Sequence, residues 1–115
     1  MTELDSLRDE LRRFSAERDW DQFHSPKNLA AALAVEAAEL LEPFQWLSSE
    51  QSRQLSPQTA AAVRKEMADV LLYLVRLADQ LGVDLLEAAR SKIVENAIKY
   101  PVEKAKGSMR KYTDL

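Results

Sequence analysis

Glu36, Glu39, Glu66 and Asp69 form two acid-x-x-acid pairs, each set in a run of Ala, Leu, Val and Met. Residues three apart on a helix return to nearly the same face, so each pair presents both carboxylates in one direction. Carboxylates in an apolar segment need a counter-charge, because holding them ionised and unpaired away from water is prohibitively costly. The chain offers none locally: residues 28–52 contain no Lys or Arg, and neither do residues 70–75. A divalent cation is the simplest source of the missing charge, and a hard ion such as Mg²⁺ takes oxygen ligands of this kind. An oxygen-ligated metal in turn suits phosphate chemistry, where it engages phosphate oxygens and activates water. Paired carboxylates also act as acid and base in glycosidases, but a small helical chain has no deep carbohydrate cleft for that reaction. Acid pairs at this spacing are otherwise usually solvated helix faces, or partners of Arg and Lys elsewhere. Two pairs together, inside apolar segments, favour the metal, whereas Glu42 and Glu50 read as surface residues.

The elements that must position these acids are helices. Glycine occurs only at Gly82 and Gly107 while Ala and Leu dominate, a composition that supports helix and gives strands almost nothing. A first helix is expected over residues 2–18, with Leu4, Leu7, Leu11 and Phe14 on one face. A loop bearing Trp20, Phe23 and His24 follows. Ser25-Pro26 then reads as a cap and first turn, opening a helix over residues 26–41 that is apolar almost all round and so expected to be buried. Pro43 ends or bends it, and Phe44, Gln45 and Trp46 come next. Ser56-Pro57 is a second start signal, for a helix over residues 57–80 that stops near Gly82. Glu36 and Glu39 lie about 60° apart in projection, and Glu66, Asp69, Tyr73 and Arg76 share one face of the third helix. The two stripes meet if helices two and three form an antiparallel hairpin. A fourth helix is expected over residues 84–99 with Asp84 as cap, closed by Tyr100-Pro101, and residues 102–115 form a polar tail expected to be extended or partly disordered. The architecture expected is therefore all-α, a four-helix bundle forming a single domain over residues 1–115.

Charge and cysteine content narrow the function classes. With 19 acidic against 16 basic residues the net charge is −3, which disfavours a non-specific nucleic-acid coat or a basic membrane patch. There is no Cys, which removes disulfides, zinc-thiolate sites and cysteine nucleophiles. No stretch approaches the eighteen or so apolar residues of a membrane span, and the amphipathic, acidic start has no apolar signal core. The expectation is a cytoplasmic protein that binds no nucleic acid and no membrane. An anionic ligand would have to be held locally, and Lys92, Asn96 and Lys99 offer a cationic and polar stripe on the fourth helix. Trp20, Phe23, His24, Trp46 and Tyr73 could supply flat surfaces for a base, although core packing explains Phe23 and Tyr73 equally well.

Glu36-Ala-Ala-Glu39 followed by Glu66-Met-Ala-Asp69 resembles the ExxE and ExxD signature of the MazG-like all-α nucleoside triphosphate pyrophosphohydrolases. The flanking residues are similar to the dCTP pyrophosphatase subgroup: Glu17-Arg18-Asp19-Trp20, Phe23-His24, Pro26, Asn28, Phe44-Gln45-Trp46, Tyr73-Leu74-Val75, Ser91-Lys92, Asn96, Tyr100-Pro101 and Lys111-Tyr112-Thr113-Asp114-Leu115. The resemblance covers essentially the whole chain. It implies Mg²⁺-dependent hydrolysis, with Mn²⁺ as a substitute, between the α and β phosphates of a (deoxy)nucleoside triphosphate. Glu36, Glu39, Glu66 and Asp69 would be the metal ligands and catalytic groups. Trp20, His24, Asn28, Trp46, Tyr73, Lys92, Asn96 and Lys99 would bind substrate, with Arg110 and Lys111 as weaker contributors. It also implies a homodimer or homotetramer with sites against subunit contacts, and a role in clearing surplus or non-standard nucleotides. One departure bears on base choice: Leu11 stands where dCTP-preferring relatives carry a His on the first helix, and a leucine cannot hydrogen-bond a base edge. Two rival readings are a pyrophosphohydrolase of another nucleotide, such as a phosphoribosyl nucleotide, and a non-catalytic helical interaction module.

Overall fold

Capping chemistry sets the helix boundaries in the computed structural model, which describes residues 1–115. Helix α1 spans Glu3–Glu17; the Thr2 hydroxyl accepts from the Asp5 N–H at 3.1 Å, and Asp5 accepts from the Thr2 N–H at 2.9 Å, a reciprocal box that satisfies two otherwise unpaired donors. Helix α2 spans Pro26–Leu41, capped by the Ser25 hydroxyl, which accepts from the Asn28 N–H at 3.1 Å. Helix α3 spans Pro57–Leu81, capped in the same way by Ser56 and closed by Gly82 at φ +66°, a left-handed conformation that glycine adopts without a Cβ penalty. Helix α4 spans Leu85–Lys99 with Asp84 as cap. Each of these four lies within one residue of its expected boundaries. The tail differs from expectation: it carries a short helix, α5, at Val102–Ala105 and a 3-10 turn at Tyr112–Asp114. Three more 3-10 turns lie at Asp21–Phe23, Glu42–Phe44 and Gln51–Arg53. There are no strands.

The chain divides into two units, Met1–Gly82 and Val83–Leu115. In the first, α2 packs along α3, α1 packs on α3, and the turn at Glu42–Phe44 sits against both α2 and α3. Leu29, Val75 and Ala78 are its buried apolar residues; enclosing a leucine such as Leu29 stabilises the fold by about 2 kcal/mol. The expectation that α2 is buried on all sides does not hold within one chain. Leu29 is 1% exposed, but Val35 is 56% and Leu41 62% exposed, because one packed helix and a short turn can cover only part of a cylinder. In the second unit, Tyr100 packs edge-on against Tyr112 at 6.0 Å, and Lys99 lies 5.0 Å from the Tyr112 ring centre. These aromatic and cation–π contacts order the tail that composition alone reads as extended.

Candidate active site

The C-terminal half of α2 and the N-terminal half of α3 bring three of the four acids together. Carboxylate oxygens of Glu36, Glu39 and Glu66 lie within 4.8 Å of one another. Asp69 stands outside that set. Its charge nonetheless acts on both Glu36 and Glu66. None of the four takes part in an ion pair, so the shortage of cations noted in the sequence persists in three dimensions. Glu36 Oε2 and Glu66 Oε2 are buried without any hydrogen-bond partner, a condition that native structures rarely tolerate.

The electrostatic consequence is a pair of carboxyls that resist ionisation. Glu36 is pushed up to about 7 by burial, then by the neighbouring Glu39 and the charges of Asp69 and Glu66. Glu66 is raised by burial and by the charges of Glu39 and Asp69. A divalent cation reverses both effects by supplying the missing charge. Oxygens sharing one small divalent ion at about 2.1 Å lie roughly 3 to 4 Å apart, so a set already within 4.8 Å fits with small side-chain adjustments. Glu39 and Glu66 also line an open cavity of about 460 Å³, together with Glu42, Pro43, Gln58, Thr59 and Ala62.

The substrate-binding candidates fall into separate groups. Trp20 and His24 lie together with ring centres 6.3 Å apart, and Phe14 packs edge-on against Trp20 at 5.6 Å. Asn28 donates its side-chain amide to the Phe23 carbonyl at 3.0 Å, so it braces the aromatic turn. Tyr73 is half-buried on α3, between the turns bearing Asp69 and Arg76. Trp46 is 87% exposed, with no ring stacked on it. In the second unit, Lys92 and Lys99 both contact the Glu95 carboxylate, at 3.3 and 3.1 Å, so neither is a free cation; Asn96 is exposed between them.

A second charged cluster escaped the sequence reading. Arg76, expected on the acid face, is 6% exposed and pairs with Asp21 at 2.5 Å and Asp79 at 3.3 Å. Its Nε donates to His24 Nδ1 at 3.2 Å. Asp79 also accepts from Arg12 Nε at 2.8 Å. Arg76 lies in an apolar run with an acid three residues on, and that was the available signal: a cation among Val75, Leu77 and Ala78 requires a nearby carboxylate.

Three helical glutamates gathered without a cation beside an open cavity could hold a metal ion, and comparison with known proteins defines the class. Residues 31–115 match the model of the MazG-like family, and the chain belongs to that family. Within it, dCTP pyrophosphatase 1 of Bos taurus is 46% identical over 114 residues, covering 97% of this chain and 68% of the relative. The Homo sapiens protein of the same name is also 46% identical over 114 residues, covering 97% of this chain and 67% of its own length. Among solved structures, a pyrophosphatase from Archaeoglobus fulgidus aligns with a TM-score of 0.82 at 40% identity, covering 88% of this chain and 94% of that one.

Proposed function

We propose that this chain hydrolyses dCTP, or a modified or non-standard deoxynucleotide like it, between the α and β phosphates, giving the monophosphate and pyrophosphate. Kinship with dCTP pyrophosphatases across nearly its whole length makes it a hydrolase of nucleoside triphosphates. The observation that carries the metal-dependent reading is the glutamate cluster, with oxygens within 4.8 Å and two of them buried and unpartnered. Glu36, Glu39 and Glu66 hold Mg²⁺, or Mn²⁺ in its place, with Asp69 completing the set. When bound, the ion supplies positive charge to the phosphate oxygens and lowers the pKa of water. An oxygen of one of these four carboxylates takes the proton from the attacking water.

The remaining roles follow from side-chain chemistry. Trp20 and Trp46 offer faces to the base, with His24 beside Trp20 and Asn28 bracing the turn between them. Tyr73 and Asn96 hold the sugar or phosphates, and Lys92 and Lys99 leave Glu95 to meet phosphate charge. Apolar surface left open on α2 and α3, at Val35, Leu41, Met67 and Leu71, supports assembly as a homodimer or homotetramer. Residues 1–115 act as one functional domain of that assembly. No helix is long and apolar enough to cross a membrane; the working site proposed is the cytoplasm, where the enzyme clears surplus or non-standard nucleotides.

The test is a panel of deoxynucleoside triphosphates with Mg²⁺, reading pyrophosphate and orthophosphate separately. Pyrophosphate from dCTP is expected, and chelation with EDTA should stop its release. Failure to release pyrophosphate from any nucleotide overturns the proposal. Orthophosphate as first product would place the cut at another bond, and turnover confined to a phosphoribosyl nucleotide would move the substrate.

A further inference from the structure

His24 is the only histidine of the chain, and its ring is not free to choose its protonation state. Arg76 Nε carries a hydrogen and no lone pair, so the 3.2 Å contact to His24 Nδ1 requires Nδ1 to be the acceptor. An imidazole that accepts at Nδ1 carries its proton at Nε2 and is neutral. Arg76 is itself fixed: it is buried and held by Asp21 on the turn before α2 and by Asp79 one turn along α3, and Asp79 is clamped from α1 by Arg12. These are the charged groups around the ring. Burial and the Arg76 charge hold its imidazole below its ordinary value, with Asp21 opposing. The ring stands edge-on to Trp20, and no hydrogen bond within the chain uses Nε2.

We infer that Arg76 is a positioning residue that locks His24 as a neutral Nε2–H donor beside Trp20, and that this donor reads the acceptor edge of a cytosine. The inference rests on the substrate reading given above, in which Trp20 stacks on the base. Cytosine presents acceptors at O2 and N3, whereas thymine and uracil carry a hydrogen at N3. O2 is an acceptor in all three, so it is a fixed donor directed at N3 that matches the first and opposes the second, and a polar group left unpaired by the wrong base is a strong source of discrimination. Leu11, which carries no polar atom, leaves this task to another residue, and His24 is the ring in this cluster whose nitrogen is oriented by a buried network.

One experiment needs no variant. With a single histidine, a long-range ¹H–¹⁵N spectrum of the imidazole reports its tautomer directly. The expected pattern is Nε2–H with an unprotonated Nδ1 from pH 8 to pH 6, with the Nε2 resonance shifting when a non-hydrolysable α,β-imido dCTP is added with Mg²⁺. An Nδ1–H tautomer, or an Nε2 signal indifferent to the analogue, overturns the inference.

Kinetics supply the second arm. His24→Ala is expected to raise KM for dCTP about tenfold while changing KM for dTTP less than threefold, with kcat little altered for either. His24→Gln, whose amide nitrogen can stand near the position of Nε2, should recover most of the dCTP preference. Arg76→Lys keeps the buried charge but loses the planar Nε–H; the neutral ring can then carry its proton at Nδ1 and present Nε2 as an acceptor, so its KM for dCTP should be raised at pH 8 and recover toward the wild-type value at pH 6, where the imidazolium again donates from Nε2, a change the wild type should not show. If His24→Ala leaves the dCTP to dTTP ratio unchanged while pyrophosphate is still released, this inference alone fails. If the wild type releases no pyrophosphate from any nucleotide, the underlying substrate reading fails, and the tautomer measurement still decides the role of Arg76.

Discussion

Two charged clusters lie on α3, and they solve opposite problems. At the N-terminal half, Glu36, Glu39 and Glu66 crowd together with no cation, and two of their oxygens are buried without partners. At the C-terminal half, Arg76 and Asp79 are as deeply placed, yet every charge meets its opposite: Arg76 with Asp21 and Asp79, Asp79 with Arg12. A closed network stabilises the folded chain and has no charge left for a ligand. An open one carries a deficit that only something added can fill. That difference supports the open cluster as the proposed metal site more firmly than the mere presence of acids, since acids occur in both clusters.

The comparison breaks most visibly in catalysis. Glu36→Gln removes a charge from the open cluster and should lower the rate of pyrophosphate release by about a thousandfold, the scale of losing one electrostatic contact to a developing charge. The same change should leave metal-free stability unchanged or higher, because it relieves repulsion among like charges. Parallel measurement of product release and thermal melting checks both halves. A variant that loses activity together with its fold would erase the distinction between the clusters.

The closed cluster should show the reverse pattern. Arg76→Met strands Asp79, whose side chain is only 8% exposed, although Arg12 remains to it. Breaking a buried pair typically costs 3 to 5 kcal/mol; with Arg12 retained, a loss of about 3 kcal/mol is expected, seen as a drop of about 10 °C or more in Tm. Metal affinity, read by calorimetric titration with Mn²⁺, should stay within about threefold of wild type, since Arg76 pairs with none of the four acids.

Asp79→Asn is the milder cut, expected to cost about 2 kcal/mol as charge-assisted hydrogen bonds become neutral ones. It also has a pH signature. Hydrogen bonds from Arg12, followed by the charges of Arg12 and Arg76, hold the Asp79 carboxyl below the usual range. Its folded value being depressed, the stability it gives is present above the ordinary carboxylate range and is lost as pH falls through the depressed value. Urea midpoints between pH 6 and pH 2 should decline in the wild type, and the decline should be shallower in Asp79→Asn.

Much of this was legible in the sequence, and the limits have physical causes. Ser25-Pro26, Ser56-Pro57, Asp84 and Gly82 set the helix boundaries through local capping, which depends on neighbours within four residues. The acid pairs were legible for the same reason, as their spacing is local and their lack of nearby cations can be read from the chain itself. The Arg76 network joins α1, the turn at Asp21–Phe23 and α3 across 52 to 67 residues, and no periodicity encodes such pairing. Asp69 shows a finer limit: spacing puts it on the same helix face as Glu66, yet it lies outside the 4.8 Å set, because where a side chain's oxygens come to rest depends on rotamers that spacing does not encode. The apolar surface of α2 shows another, since periodicity marks what should be covered but not whether the same chain covers it.

The smallest effect sharpens the comparison best, because acid should act on the two clusters with opposite sign. Glu36 is raised from an ordinary 4.5 to about 7. A carboxyl with a raised folded value contributes stability fully below its unfolded value and loses it as pH climbs to the folded one. In metal-free protein, the Glu36 contribution should therefore fall between pH 4.5 and about 7 and stay level above, in the range where Asp79 is already fully ionised. The group is partly solvated, so the change in Tm should be a few degrees at most. Glu36→Gln should flatten that segment of the profile without touching the acid limb that Asp79 produces. Adding Mg²⁺ should flatten it too, and do so more strongly at pH 7.5 than at pH 5, because the ion binds the carboxylate and competes with its proton. If Mg²⁺ raised Tm equally at both pH values, the charge deficit at Glu36 would not be what draws the metal, and the contrast between an open and a closed cluster would lose its basis.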